Sequence, residues 1–259
     1  MIKNLQLQVL PEVAAKSELL LKIVSEKTNT IKSNIKHIEI LKRSIDARQK
    51  ITKINLRVDV YIKEAFVKKE EKIPEYKDVT GKDEVIIIGA GPAGLFAALK
   101  LIEKGLKPII LERGKDVRAR RRDLANLTKN HIVNEDSNYC FGEGGAGTFS
   151  DGKLYTRSKK RGDVNKILDI LVQHGSTEEI RLNAHPHIGT NKLPKIIQAI
   201  RETIIQYGGQ VIFDSRVTDI IIKNNAVKGV ELQNGTRIEA NKIILATGHS
   251  ARDIFELLH

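Results

Sequence analysis

The sequence predicts an α/β protein in which a parallel sheet and an antiparallel β-meander follow a small α+β module. A buried apolar run at residues 85–88 precedes a glycine-rich turn, an amphipathic helical pattern and a second buried run at residues 108–111, which is the order of a βαβ unit. Between residues 217 and 238, three apolar segments are separated by the turns Asn224-Asn225 and Asn234-Gly235. These turns predict the antiparallel meander.

The N-terminal residues predict a module of their own. Apolar and polar residues alternate at 5–9 and again at 54–62, as in half-buried strands, and residues 13–24 carry a helical apolar face. A further strand begins at Ile38, so the order is β-α-β-β, which suits a small ferredoxin-like sheet. The predicted domains are a module at 1–66, a Lys/Glu-rich linker at 67–83 and a main domain at 84–259.

The turn after the first buried run has the spacing of a dinucleotide pocket. Gly89 makes the tight bend, Gly91 lets backbone approach a pyrophosphate, and Gly94 lets the helix pack close to the strand. The free N–H groups at the positive end of the helix dipole favour a diphosphate. Glu112, at the end of the second run, is placed to accept from both hydroxyls of a ribose. The alternative is a strand-to-helix turn without a ligand.

A second glycine-rich stretch follows at residues 142–153. Its glycines exclude the interior of a helix or strand, because each one forfeits backbone entropy and side-chain packing. The spacing is not that of a P-loop. Flanking Phe141, Phe149 and Leu154 indicate that the loop is anchored, which favours a ligand-contacting loop over a slack one.

The net charge of +12 raises the question of a nucleic-acid partner. The densest basic cluster consists of Arg118, Arg120, Arg121 and Arg122. It is interpreted either as a solvated surface or as a rim that attracts a phosphate-bearing cofactor or an RNA. Aromatic residues make up 4% of the chain and Trp is missing, so little material exists for stacking bases, and nucleic acid is disfavoured as a partner.

Cysteine content and hydropathy further limit the class of protein. The single cysteine, Cys140, excludes an internal disulfide and a Cys-x-x-Cys redox pair. No apolar run approaches the roughly 18 residues of a membrane helix, and the start of the chain has no signal-peptide core. The sequence therefore predicts a cytoplasmic protein without membrane attachment.

Three sequence motifs resemble those of a known family. They are residues 141–154, His187-Ile188-Gly189-Thr190 and residues 246–253, whose sequence is Ala-Thr-Gly-His-Ser-Ala-Arg-Asp. They resemble a bacterial family of FAD-dependent dehydrogenases, the NAD(P)/FAD-dependent oxidoreductases, among the flavoproteins with two dinucleotide-binding domains. The match spans residues 80–259, and the N-terminal module is also similar to that of the family. The resemblance implies a Rossmann-like FAD-binding domain, bound FAD and oxidoreductase chemistry, and NAD(P)H is a candidate co-substrate.

The resemblance also implies where the cofactor lies. The first glycine turn would hold the FAD diphosphate, Glu112 and Arg113 the adenosine ribose region, the second glycine loop the diphosphate and flavin, and Val217 the adenine. The implied cofactor-binding residues are Gly89, Gly91, Pro92, Ala93, Gly94, Glu112, Arg113, Gly144, Gly145, Ala146, Gly147, Thr148, Ser150, Asp151, Lys153, Val217, Thr247 and Gly248.

No catalytic residue follows from the sequence. Cys140 and His249 adjoin the glycine loop and the Ala-Thr-Gly turn, but each also fits a packing or capping role. His185 and His187 flank Pro186 without further ligands, so no metal site is predicted.

Several functions remain open beside a flavin oxidoreductase that transfers hydride or electrons. They are a nicotinamide-only dehydrogenase, a flavoprotein acting on tRNA, and a non-catalytic FAD-binding fragment. The family has a substrate segment and a late return strand after the Ala-Thr-Gly turn, whereas this sequence stops at His259. We therefore expect a domain that is incomplete at its C-terminus and holds FAD weakly. The sequence assigns neither a substrate nor an oligomeric state.

Overall fold

The computed structural model describes residues 1–68, 74–154, 156 and 162–259. Its helices and strands follow in the order β1 (Ile2–Val9), α1 (Pro11–Ala15), α2 (Ser17–Thr28), β2 (Ile35–Asp46), β3 (Lys53–Ile62), β4 (Glu84–Ile88), α3 (Pro92–Glu103), β5 (Lys107–Leu111), α4 (Val117–Asn130), α5 (Val164–Gln173), α6 (Glu179–Leu182), α7 (Leu193–Gln206), β6 (Gln210–Ile212), β7 (Val217–Lys223), β8 (Ala226–Leu232), β9 (Arg237–Glu239), β10 (Ile243–Leu245) and α8 (Arg252–Leu258). The chain divides into two compact units. The first unit comprises Met1–Ile73, Lys153–Val172 and Thr177–His187, and the second comprises Pro74–Gly152, Gln173–Ser176 and Ile188–His259.

In the first unit, β3 lies between β1 and β2 in an antiparallel sheet. The alternation predicted for this strand is confirmed, since Leu56, Val58 and Val60 are buried and pack with Leu20 and Val24 of α2. Burial of several such side chains, at about 1.5–3 kcal/mol each, stabilises the layer of helix on sheet. The predicted β-α-β-β order is also confirmed.

A distant segment completes the first unit. Asn183 forms a parallel bridge with Arg43 of β2, and the Ala184 N–H donates to the Arg43 carbonyl at 2.8 Å. The Arg43 Nε also donates to Asn183 Oδ1 at 3.1 Å. Residues that follow the second glycine loop thus pack with the N-terminal sheet. The domain boundaries at 66 and 84 stay a prediction, because compactness alone does not define a domain.

The second unit contains the predicted parallel sheet, with strand order β10-β4-β5-β6 in the described residues. α3 packs on β4 and β5, and α7 packs on α3 and β6. The meander β7-β8-β9 packs its buried Val217, Val230 and Leu232 against apolar residues of β4 and β5. The α/β fold class predicted from the sequence is therefore confirmed.

Residues 74–83 belong to the second unit. Val79 is fully buried, and its N–H donates to the Tyr207 carbonyl at 2.9 Å. This part of the predicted linker is packed rather than solvated, while residues 69–73 of that linker lie outside the described residues. No described helix has both the length and the apolar character required to cross a bilayer.

Candidate functional site

A cleft of about 680 Å³ opens where β4, β5 and β10 end. Ile88, Leu111 and Leu245, the last residues of these strands, form part of its wall. Carboxyl ends of parallel strands are where α/β sheets bind ligands. Of the predicted cofactor-binding residues, those that line the cleft are Gly89, Gly91, Pro92, Ala93, Glu112, Arg113, Gly145, Ala146, Gly147, Val217, Thr247 and Gly248.

The other predicted residues lie outside this lining. Gly94, Gly144 and Thr148 are buried, and the Thr148 hydroxyl donates to the Glu143 carbonyl at 3.1 Å. The Ser150 hydroxyl donates to the Gly147 carbonyl at 2.7 Å. Asp151 is exposed, and Lys153 belongs to the first unit, where it bridges His187. The predicted role of these residues in cofactor binding remains a prediction.

The three glycines of the turn have different steric environments. A Cβ on Gly89, which has φ +106°, would lie 2.6 Å from the Ala246 carbonyl oxygen, and a Cβ on Gly94 would overlap the Gly89 carbonyl. The fold itself therefore requires these two glycines. Gly91 has φ −72°, and the nearest heavy atom to a Cβ there is Gly145 Cα at 3.9 Å. No contact with a described residue requires glycine at position 91.

Backbone donors lie at the start of α3, where Gly91 and Ala93 line the cleft. Within the described chain, no acceptor is recorded for the N–H groups of Gly91, Ala93 or Gly94, whereas the Leu95 N–H donates to the Gly91 carbonyl at 3.0 Å. No side chain caps this helix. Free N–H groups and the helix dipole together favour an anion at this position.

Glu112 ties three backbone segments together. One carboxylate oxygen accepts from the Ala90 N–H at 2.7 Å, and the other accepts from the N–H groups of Gly114 at 2.9 Å and Gly142 at 3.0 Å. The side chain is buried but still lines the cleft. A carboxylate has about four lone-pair sites, so one acceptor position remains for a ribose hydroxyl.

Arg120 holds the second glycine loop and was not singled out from the sequence. Its guanidinium is buried and donates to the backbone carbonyls of Asn138, Tyr139, Gly142, Glu143 and Gly145 at 2.8–3.2 Å. Burial lowers the pKa of Arg120, and the Glu112 carboxylate is the largest influence opposing that shift. The side chain passes so close to Gly142 that a Cβ there would overlap it.

The interpretation of the arginine cluster as a solvated surface or a basic rim is wrong for Arg120. The side chain lies on the buried face of α4 together with Val117 and Leu124, whereas Arg121 and Arg122 are exposed. The burial of Arg120 could have been predicted, because positions 117, 120 and 124 have the i, i+3, i+7 spacing of one helical face. Arg120 occupies a position on that face between the apolar residues Val117 and Leu124.

Glu143 is a second buried ionisable group in the loop. Its Oε2 accepts from the Val117 N–H at 2.8 Å and from Arg201 Nη1 at 3.3 Å, while Oε1 is buried with no partner in the described structure. Burial raises the pKa of this carboxyl, although the Val117 N–H and Arg201 act in the opposite direction. The charged form is therefore costly to bury.

Glu143→Gln is expected to reduce the pH dependence of stability. Because burial raises the folded-state pKa above the unfolded value, the folded protein binds more protons, and the wild-type free energy of unfolding falls as the pH rises above about 4.3. Each unit of pKa elevation corresponds to about 1.4 kcal/mol. Glutamine stays neutral and keeps an acceptor for the Val117 N–H. Urea unfolding at about pH 5, 6 and 7 measures how the free energy of unfolding depends on pH.

Glu256→Gln is the matched control, because Glu256 is exposed on α8. It should leave the slope of unfolding free energy against pH unchanged. Equal slopes for wild type and Glu143→Gln would contradict the expected contribution of the buried carboxyl.

A cluster of alternating charges lies at the mouth of the cleft. Arg113 pairs with Asp136 at 2.7 Å and Asp253 at 3.0 Å, and Arg216 also pairs with Asp253 at 3.0 Å. The Arg113 guanidinium lies 4.1 Å from the Phe141 ring centroid. The cluster links the start of α8 to the end of β5, so Arg113 has a structural role beside its predicted one.

Cys140 and His249 also line the cleft, and Cys140 is exposed. No residue in the described lining forms a nucleophile–base pair, so the structure assigns no catalytic side chain. The described residues contain no group of three His, Cys, Asp or Glu side chains suited to hold a metal ion.

Residues 83–257 match the family described as Pyridine nucleotide-disulphide oxidoreductase. The chain belongs to this family. Membership implies binding of a flavin or a dinucleotide. Residues 1–61 match a separate domain of unknown function.

The chain is also similar to individual proteins. An "Uncharacterized protein" of Clostridium beijerinckii is 38% identical over 253 residues, which cover 92% of this chain and 47% of that protein. Thiamine thiazole synthase of Methanococcus vannielii is 24% identical over 65% of this chain and 57% of its own length. The chain thus spans about half the length of the curated relatives that it matches.

Among solved structures, Thermovibrio ammonificans THI4 has a TM-score of 0.45 and 19% identity, covering 70% of this chain and 62% of its own. L-proline dehydrogenase from P. horikoshii has a TM-score of 0.37 and 18% identity, covering 69% of this chain and 56% of its own.

Proposed function

We propose that the cleft holds FAD and that the protein is an FAD-dependent oxidoreductase with NAD(P)H as electron donor. The observation that carries the proposal is Gly91, where glycine meets no steric demand of the fold. A glycine beside unpaired helix N–H groups is explained by close approach of a diphosphate. Bound FAD would supply the two-electron chemistry, and the protein would supply its orientation and surroundings.

The lining residues have separable roles in this proposal. The N–H groups of Gly91 and Ala93 donate to the diphosphate, and the last acceptor position of Glu112 receives a ribose hydroxyl. Gly145 and Gly147 form the part of the cleft wall that comes from the second glycine loop, which Arg120 holds in place through the loop carbonyls. These hydrogen bonds fix the loop through protein groups alone, which would limit the reordering that cofactor binding requires.

Cofactor identification tests the proposal. Protein purified without detergent or denaturant is expected to release FAD on heating, which mass spectrometry distinguishes from FMN and from nicotinamide dinucleotides. NADH or NADPH, added without oxygen, is expected to bleach the visible flavin absorbance. Release of a nicotinamide dinucleotide with no flavin would contradict the proposal and favour a nicotinamide-only dehydrogenase.

Gly147→Val gives an independent test from the part of the cleft wall that the second glycine loop forms. A Cβ on Gly147 meets no heavy atom within 4 Å, and the residue lines the cleft, so the variant is expected to fold normally. Its side chain would occupy cofactor space and weaken FAD binding by at least about tenfold, or 1.4 kcal/mol. Flavin fluorescence titration measures the change, and undiminished affinity would show that the cofactor does not pass this wall.

A further inference from the structure

The first unit contains a cavity of its own, of about 370 Å³. Its lining includes Lys42 of β2, Arg57 of β3 and Arg181 of α6. The described lining contains one acidic residue, Asp163, whose carboxylate is engaged in capping α5 through the N–H groups of Asn165 and Lys166. The cavity is therefore basic, and the N-terminal end of the α5 dipole adds to its positive potential.

Lys42 and Arg57 are directly opposite each other in the β2–β3 register. Like charges in this position destabilise a sheet. The register shifts between Ile40 and Lys42, which marks a bulge in β2, and bulges re-aim side chains next to functional sites. The structure thus retains a repulsive pair at an irregular point of the strand, with both side chains lining one cavity.

Neither cation of the pair is neutralised by protein. No ion pair or side-chain hydrogen bond of Lys42 or Arg57 occurs in the described structure, whereas Arg181 pairs with Asp169 at 2.7 Å. Both residues are exposed, so water screens part of their repulsion, but they are cross-strand neighbours that line the same cavity. An anion between the two side chains would offset the repulsion of both.

We propose that this cavity binds a small phosphate-bearing ligand. The planar guanidinium of Arg57 can take two phosphate oxygens, and the Lys42 ammonium supplies a second point charge. The volume lies near the lower limit of about 300 Å³ for small-molecule sites, which fits a compact metabolite. The site is independent of the FAD cleft, and it gives the N-terminal module a ligand-binding role.

Inorganic phosphate is the probe, and the thermal unfolding midpoint of the full 259-residue chain is the readout. Sodium phosphate is compared with sodium chloride at equal ionic strength and pH. At about ten times its dissociation constant, phosphate is expected to raise the midpoint of wild type by about 3 °C. Arg57→Gln and Lys42→Gln should each lose most of this rise and, in chloride, be no less stable than wild type.

Two controls locate the effect. Lys22→Gln removes an exposed cation of α2 and should keep the full rise. Gly91→Val blocks the other phosphate-binding candidate and should also keep it. A rise that survives in Arg57→Gln and Lys42→Gln, or that disappears in Gly91→Val, would overturn the proposal. The same holds if phosphate and chloride act alike on wild type.

Discussion

Gly91→Val is expected to weaken FAD binding by about 100-fold or more, equivalent to about 2.8 kcal/mol, while leaving the fold intact. The new side chain would project toward the position proposed for the diphosphate. The backbone accepts a Cβ at this position, because φ is −72° and the nearest heavy atom beyond the chain neighbours, Gly145 Cα, is 3.9 Å away. The free energy of unfolding should be unchanged or rise by about 0.5 kcal/mol, since glycine is the more flexible residue in the unfolded chain. Flavin titration and urea unfolding measure the two quantities.

Gly91→Ala and Gly94→Ala are the comparison variants for Gly91→Val. Alanine at 91 adds only the Cβ and should still weaken binding. Alanine at 94 would overlap the Gly89 carbonyl, so it should destabilise the second unit before any question of binding arises. Full affinity in both Gly91 variants would remove the central support for the proposed cofactor site.

Arg120→Met is expected to lower the free energy of unfolding by about 3–5 kcal/mol. Methionine fills much of the same space but leaves five loop carbonyls without their buried donor. The glycine loop should lose its shape, so FAD affinity should fall together with stability. Urea unfolding measures the first effect, and amide hydrogen exchange at residues 142–147 measures the local one.

Arg121→Met is the matched control, because it removes the same charge one residue later on the exposed side of α4. It should change the unfolding free energy by no more than about 0.5 kcal/mol. Equal losses in the two variants would indicate a helix-wide effect of charge removal rather than a loop held by Arg120.

Local patterns predicted much of the second unit. Three patterns can be recognised from residues that are close in sequence. They are the apolar run before Gly89, the helical face after it and the second apolar run before Glu112. The turns at Asn224-Asn225 and Asn234-Gly235 predicted the meander in the same way. The cleft lining near these elements could be predicted because the chain order of a βαβ unit fixes where its strand ends meet.

Long-range polar contacts could not be predicted in this way. Glu112 was expected to face a ribose, but its engagement with Ala90, Gly114 and Gly142 depends on a loop 30 residues later along the chain. Arg120 and Glu143 share this feature, since each satisfies groups that only the folded loop brings within reach. Helix α4 was missed for a related reason, because its polar sequence hides the short buried stripe.

The pairing of Asn183 with Arg43 spans 140 residues of chain. At a synthesis rate of 5–20 residues per second, the edge of β2 waits on the order of 7–28 s for the segment that covers it. During that interval the nascent sheet presents unpaired backbone groups to any neighbouring strand. Slower translation would therefore lengthen the time during which the edge of β2 is unpaired. A chaperone that shields this edge would act before the ribosome passes residue 183.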